Sequence, residues 1–236
     1  MIFGRDGGPL VIGHRGAPLV APENTLASFE AALAAGADAV ELDVGEGLVV
    51  AHSPSELPAS PAALDEVLAL VRERGAGVLV DLKAHGVEAA VAEAVRRHGL
   101  LERALVSATS AAALRRLASH EPRLGRAITY PHDRYRVSRF AWPRRLEACG
   151  AAALRAAMPA RAALLLRTAD ARALTLHHAL VSPAVVAAVH GRGGVLLAWP
   201  VNDAGRVAHL ARLGVDAIVT DDPEGAREAV GTLKAP

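Results

Sequence analysis

The chain has 236 residues, 52% of them hydrophobic, and a formal net charge of +1. That supplies enough apolar side chain for a sizeable core, and the near-neutral balance gives no basis for nucleic acid or an anionic membrane as a partner. A single cysteine, Cys149, excludes an internal disulfide framework and a cysteine metal cluster.

Taken in chain order, short β-branched runs alternate with helices rich in Ala, Leu and Arg. The N-terminal residues lack the apolar run and cleavage site of a signal peptide, and no stretch is apolar enough to span a bilayer. A cytoplasmic protein is the expectation. Residues 10–13 read as a first strand, followed by a helix capped at Asn24 or Thr25 and running to 35. Residues 39–44 form a second strand and 48–52 a short extended piece, with a helix predicted over 61–74. A strand over 77–83 precedes a helix over 87–98. A strand over 104–108 precedes a helix over 111–119, and 124–130 is a fifth strand. Residues 131–171 are the least readable; they must hold a fifth helix and some irregular chain, with Trp142 as packing. Strands over 174–178, 194–201 and 217–220 follow, each leading into a helix.

Eight strand–helix units in strict alternation imply a parallel sheet. Eight repeats favour one closed (β/α)8 TIM barrel over residues 1–236, with a very short insertion after the second strand. An open doubly wound sheet is the second choice.

The unusual polar residues collect at the C-terminal ends of the predicted strands, where barrel enzymes build their active sites. His14 and Arg15 end the first strand, Glu41 and Asp43 the second, His52 the extended piece, Asp81 and Lys83 the third, and Trp199 the seventh. Residues two apart on a strand point the same way, and neighbouring strands lie about 5 Å apart. Glu41, Asp43 and Asp81 can therefore meet around one hard cation, and an all-oxygen donor set suits Mg²⁺ or Ca²⁺ better than Zn²⁺. Arg15 and Lys83 add positive charge beside it, which makes a place for a phosphate group. His14 and His52 are the candidates for general acid and base. Lys83 is one of only two lysines in a chain that otherwise uses arginine, and the other, Lys234, is at the C-terminus. Glu23 reads as part of a turn, Asn24 and Thr25 as cap residues, and Asp221–Asp222 as a helix cap. His85, His132 and His209 read as surface groups, and His177–His178 as structural.

These residues also match a known family. The motifs His14-Arg15-Gly16, Pro22-Glu23-Asn24-Thr25, Glu41-Leu42-Asp43-Val44, Ala51-His52, Asp81-Leu82-Lys83 and Trp199-Pro200-Val201-Asn202 resemble those of the glycerophosphodiester phosphodiesterases. The resemblance spans almost the whole chain. It implies a metal-dependent barrel enzyme with His14 and His52 as acid–base pair, Glu41 and Asp43 as metal ligands, Arg15 and Lys83 at the phosphate, and Trp199 lining the substrate cleft. Three departures stand out. Ser53 replaces the usual aspartate, Asp81 replaces the usual glutamate, and the link from Glu41 to His52 is shorter than in relatives. The expected reaction is hydrolysis of a small glycerophosphodiester to glycerol 3-phosphate and an alcohol. The alternatives are a phospholipase D-like enzyme acting on lysophospholipids and a catalytically weak phosphodiester-binding protein.

Overall fold

The computed structural model describes residues 8–52, 61–131 and 144–232. Eight parallel strands close into a barrel in sequence order. They are β1 (Leu10–Gly13), β2 (Ala39–Val44), β3 (Gly77–Leu82), β4 (Ala104–Ala108), β5 (Gly125–Tyr130), β6 (Ala173–His177), β7 (Val195–Trp199) and β8 (Ala217–Thr220). The seam closes between β1 and β8, with Leu10 opposite Ala217 and Gly13 opposite Thr220. Among the described residues eight α-helices surround the sheet: α1 (Leu26–Ala34), α2 (Leu64–Glu73), α3 (Glu88–Arg97), α4 (Ala111–His120), α5 (Arg144–Ala169), α6 (Pro183–His190), α7 (Ala204–Leu213) and α8 (Pro223–Gly231).

The two-residue period of each strand divides the side chains into two layers. Ile12, Ala39, Leu79, Leu105, Ala127, Ala173, Leu197, Ala217 and Val219 fill the barrel interior. Their neighbours Val11, Val40, Leu42, Val44, Val78, Val80 and Val106 face outward into the larger core beneath the helices. The strands are thus buried on both faces, which is why they read as continuous apolar runs. Where an inward position nears the C-terminal rim, the side chain becomes polar: Glu41 and Asp43 on β2, Asp81 on β3, Ser107 on β4.

Several helices start on side-chain caps that take up otherwise unpaired backbone N–H groups. Thr25 caps α1, Ser110 caps α4, Ser182 caps α6 and Asp222 caps α8. Thr25, not Asn24, is the first helix cap. Helix α2 begins at Leu64, three residues later than predicted, because Ala63 is held extended by a bridge to Val49 and its N–H donates to Glu66 Oε2. The stretch predicted as extended over 48–52 opens with a 3₁₀ turn, Glu46–Leu48, before Val50 bridges back to Val44. The segment that could not be read contains α5, 26 residues long with Pro159 inside it. Ser53, the shortened segment 53–60, His132 and Trp142 lie outside the described residues.

Candidate active site

The turn after β1 is built to hold Arg15 inside the rim. Arg15 has a left-handed backbone (φ 55°) and Gly16 follows at φ 96°. A Cβ on Gly16 would lie 2.3 Å from Ser28 Oγ, so only glycine lets this turn pack on α1. Ser28 Oγ ties the turn down by donating to Arg15 O and accepting from Ala17 N. Arg15 N then donates to Glu41 Oε2 at 2.9 Å.

Asp43 is the electrostatic centre. Its side chain is 1% exposed, with Arg15 Nε at 3.0 Å, Lys83 Nζ at 3.0 Å and His52 Nδ1 at 3.1 Å. Asn24 completes the ring: its Nδ2 donates to Asp43 Oδ2, and its Oδ1 accepts from Asp43 N. Asn24 is itself buried, with φ 58°. It clasps the aspartate rather than capping a helix. Burial alone would raise the Asp43 pKa, but Lys83, the His52 contact and Arg15 outweigh it and hold it well below the usual carboxylate range. Glu41 goes the other way: burial and the adjacent Asp43 charge push it up to about 7.

Asp43 and Asp81 face each other in register across β2 and β3. Like charges so placed repel unless a cation lies between them. Lys83 supplies it, pairing with both Asp43 and Asp81. Burial disfavours its ammonium, but Asp81, Asp43 and Glu41 raise its pKa above the ordinary value. Ser107 on β4 donates to the other Asp81 oxygen. Ligand atoms of Glu41, Asp43 and Asp81 lie within 4.8 Å of one another. Three buried carboxylates converging at that spacing fit a hard divalent cation. Asp43 Oδ1 is buried, with Lys83 Nζ at 3.0 Å and no hydrogen bond to it among the described residues, which leaves it lone-pair capacity for such a cation.

The short link from β2 carries His52 back to the rim. Gly45 N donates to Val49 O, and Ala51 N donates to Asp43 O. His52 Nδ1 lies 2.9 Å from Arg15 Nη2 and 3.1 Å from Asp43 Oδ2. It accepts from Arg15 when that nitrogen is bare and donates to Asp43 when it is protonated; either way Nε2 is left free of this pairing.

His14 is positioned from the far end of the chain. Its N–H donates to Thr220 O, and its Nδ1 lies 2.7 Å from Asp221 Oδ1. Asn202 fixes Asp221 in turn, donating to Oδ2 and accepting from the Asp221 N–H. Burial works against a charged His14, but the Asp221 hydrogen bond and the Glu41 charge outweigh it and raise its pKa. Asp221–Asp222 was expected to act as a cap pair; only Asp222 caps α8, and Asp221 belongs to the site. Glu23, expected to be only a turn residue, pairs with Arg15 Nη1 at 2.8 Å.

His14, Arg15, Glu41, His52, Asp81, Lys83 and Trp199 line one cavity of about 440 Å³ at the C-terminal rim. Ser107 lines it beside Asp81; Thr109, Thr129 and Thr175 continue the wall over β4 to β6, and Leu79 and Val219 lie beneath. His177 and His178 stay at its margin: His177 Nδ1 accepts from Ala179 N, and His178 Nδ1 from Arg206 Nε. Burial lowers both of their pKa values, to about 4 for His178.

A closed (β/α)8 barrel with an acidic triad, an arginine, a lysine and two histidines on its C-terminal rim has the layout of a barrel enzyme for phosphoryl chemistry. Comparison with known proteins makes the class specific. Residues 14–52 and 78–225 match the model of the glycerophosphoryl diester phosphodiesterase family. The chain belongs to this family of phosphoric diester hydrolases. It is 25% identical to a glycerophosphodiester phosphodiesterase of Caldanaerobacter subterraneus subsp. tengcongensis, over 91% of this chain and 95% of that one. It is 26% identical to one from Bacillus altitudinis, over 92% and 96%. Among solved structures, a putative glycerophosphoryl diester phosphodiesterase from Silicibacter pomeroyi superposes with a TM-score of 0.75 at 23% identity, covering 98% of this chain and 96% of that one. An Oleispira antarctica phosphodiesterase in complex with the product sn-glycerol-3-phosphate gives 0.71 at 23% identity, covering 95% and 97%. Among the described residues no helix is long and apolar enough to cross a membrane.

Proposed function

We propose that residues 1–236 act as one catalytic domain that hydrolyses small glycerophosphodiesters to glycerol 3-phosphate and an alcohol. The observation that carries this reading is the meeting of two histidines, Arg15, Lys83, Glu41 and Asp81 in one rim cavity, with the buried Asp43 clustered beside the two acids. The product named for the Oleispira relative supports the same substrate class.

Glu41, Asp43 and Asp81 would hold one divalent cation, Mg²⁺ or Ca²⁺, since all three are hard oxygen donors. When bound, such an ion neutralises charge on the phosphoryl oxygens. Arg15, fixed by Glu23 and Asp43, presents its guanidinium to the same oxygens, and Lys83 adds its ammonium. His14 and His52 both have Nδ1 engaged, which leaves Nε2 of each as the atom for proton transfer. One activates the nucleophile and the other protonates the leaving alkoxide. Trp199 lines the cleft for the organic part of the substrate. The partners are small molecules in the cytoplasm, with no nucleic acid.

The test is metal-dependent release of glycerol 3-phosphate from glycerophosphocholine and glycerophosphoethanolamine. Binding without turnover at high enzyme concentration would leave only a phosphodiester-binding protein. A second reading, lysophospholipid hydrolysis, has one observation in its favour. Leu19 and Val20, on the loop between β1 and α1 that also carries His14 and Arg15, are 74% and 75% exposed, an apolar pair of the kind an acyl chain would contact. Turnover of lysophospholipids with none of deacylated diesters would select it.

A further inference from the structure

The wall of the cavity opposite the acidic triad carries polar atoms that the proposed chemistry does not use. Thr129 on β5 and Thr175 on β6 are paired in register, so their inward side chains stand side by side, about 5 Å apart. Both line the cavity, and Thr175 is 5% exposed. Neither hydroxyl has a hydrogen-bond partner among the described residues, and neither does the indole N–H of Trp199, on the next strand. Buried polar groups are nearly always paired, so three orphans gathered on one wall call for an outside partner. The wall has two hydroxyls that both donate and accept, and one N–H that only donates. Among the described residues it carries no carboxylate: the two acids that line the cavity, Glu41 and Asp81, are on β2 and β3 and are engaged with Arg15 and Lys83. Among the described residues the wall offers a quaternary ammonium no counter-charge. Neighbouring alcohol groups would find matching donors and acceptors.

We propose that Thr129 and Thr175, with the Trp199 N–H, form a subsite for the vicinal hydroxyls of a polyol esterified to the phosphate. This rests on the phosphodiesterase reading above and names the substrate class within it. The polyol has two possible sources: the glycerol unit common to all these diesters, or a polyol leaving group such as a second glycerol or an inositol.

The experiment uses the full-length chain with Mg²⁺ and compares wild type with Thr129→Val, Thr175→Val and the double variant. Valine keeps the shape and removes the orphaned hydroxyl. The variants should therefore melt no lower than wild type, while affinity for glycerol 3-phosphate, measured by calorimetry against inorganic phosphate as reference, falls at least tenfold in the double variant where the subsite holds the common glycerol and stays unchanged where it holds the leaving polyol. Phosphate binding should change far less. In turnover, an equal loss of kcat/KM on glycerophosphocholine and glycerophosphoglycerol assigns the subsite to the common glycerol. A loss at least tenfold greater on glycerophosphoglycerol assigns it to the leaving polyol. Unchanged affinity for glycerol 3-phosphate together with unchanged kcat/KM on every diester overturns the subsite. A wild-type chain that turns over no diester sinks the phosphodiesterase reading instead, and calorimetry with both glycerol 3-phosphate and glycerophosphoglycerol then decides the subsite: unchanged affinity for both in the double variant overturns it.

Discussion

Asp221 Oδ1 lies 2.7 Å from His14 Nδ1, across 207 residues of chain and the seam where β8 closes on β1. The contact holds the imidazole in one tautomer and keeps its Nε2 for the cavity. It also favours the protonated ring, so the His14 pKa stands above its ordinary value. A raised histidine pKa contributes stability that is fully present below the unfolded value and is lost as pH rises through the folded one. Asp221→Asn removes the charge and keeps the shape. We expect kcat to fall about 100-fold, in the range of one acid–base contribution. The limb of the pH–rate profile that reports His14 should move to lower pH. A lower melting temperature with an unmoved profile would reduce Asp221 to a structural role.

The same residue shows how far the sequence could be read. The strands were legible because apolar runs such as Val78, Leu79 and Val80 leave no other reading, and the rim position of Glu41, Asp43 and Asp81 followed from counting by twos. Asp221 was missed as a site residue, though the same count could have found it: Ala217 and Val219 point into the barrel, so Asp221 continues inward while Asp222 turns out to cap α8. Residue type alone could not separate two adjacent aspartates. Asn24 was hidden for a different reason. Its role depends on a left-handed backbone and on contact with Asp43, neither of which its local sequence states. A fifth helix was expected within 131–171, but its bounds were not legible, because Pro159 interrupts it as text although the helix runs through.

Asn24 gives the second prediction. It satisfies both the side chain and the backbone N–H of Asp43 from a conformation that costs most side chains energy. Asn24→Ala loses the clasp and strains the turn, for an expected destabilisation of about 3 kcal/mol. Asn24→Gly loses the clasp but tolerates φ 58°, so it should cost about 1 kcal/mol less. Chemical denaturation measures the difference. Both variants should lose activity to the same degree, because Asp43 is equally unheld in each.

Glu41 sets a pH dependence opposite to that of Asp43. Its folded pKa, about 7, is raised above the ordinary 4.5 by burial and by Asp43. The metal-free fold therefore prefers the neutral acid, and stability declines as pH climbs from 4.5 through 7, by on the order of 3 kcal/mol for the full shift. Asp43, with its pKa depressed, contributes stability above its unfolded pKa of about 3.8, lost only as pH falls through the lower folded value. A cation needs Glu41 ionised, so metal binding should release about one proton at pH 6 and much less at pH 8. Calorimetry in two buffers of different ionisation enthalpy counts it. Glu41→Gln should raise the metal-free melting temperature at pH 8 and weaken Mg²⁺ binding at least tenfold. A variant that gains no stability at pH 8 argues that Glu41 is already ionised there at no cost.

Lys83 is the internal counter-ion of the acidic cluster. Its ammonium lies 3.0 Å from Asp43 Oδ1 and pairs with Asp81, so it already balances the two carboxylates that a divalent cation would bind. Lys83→Met keeps the length of the side chain and removes the charge. Two facing aspartates are then left without it, and the metal-free protein should lose about 3 kcal/mol, as expected when one partner of a buried ion pair is deleted. A bound Mg²⁺ supplies the missing charge, so the gain in melting temperature on adding the ion should be larger in the variant than in wild type. Activity should remain low even with metal, because the ammonium proposed to face the phosphate is gone. Lys83→Arg separates charge from shape: a planar guanidinium cannot place one compact cation between Asp43 and Asp81. It should therefore recover part of the stability and little of the rate. Equal gains from Mg²⁺ in wild type and Lys83→Met would mean that the ion and the ammonium do not share these carboxylates, and the assignment of Asp43 and Asp81 as ligands would fall with it.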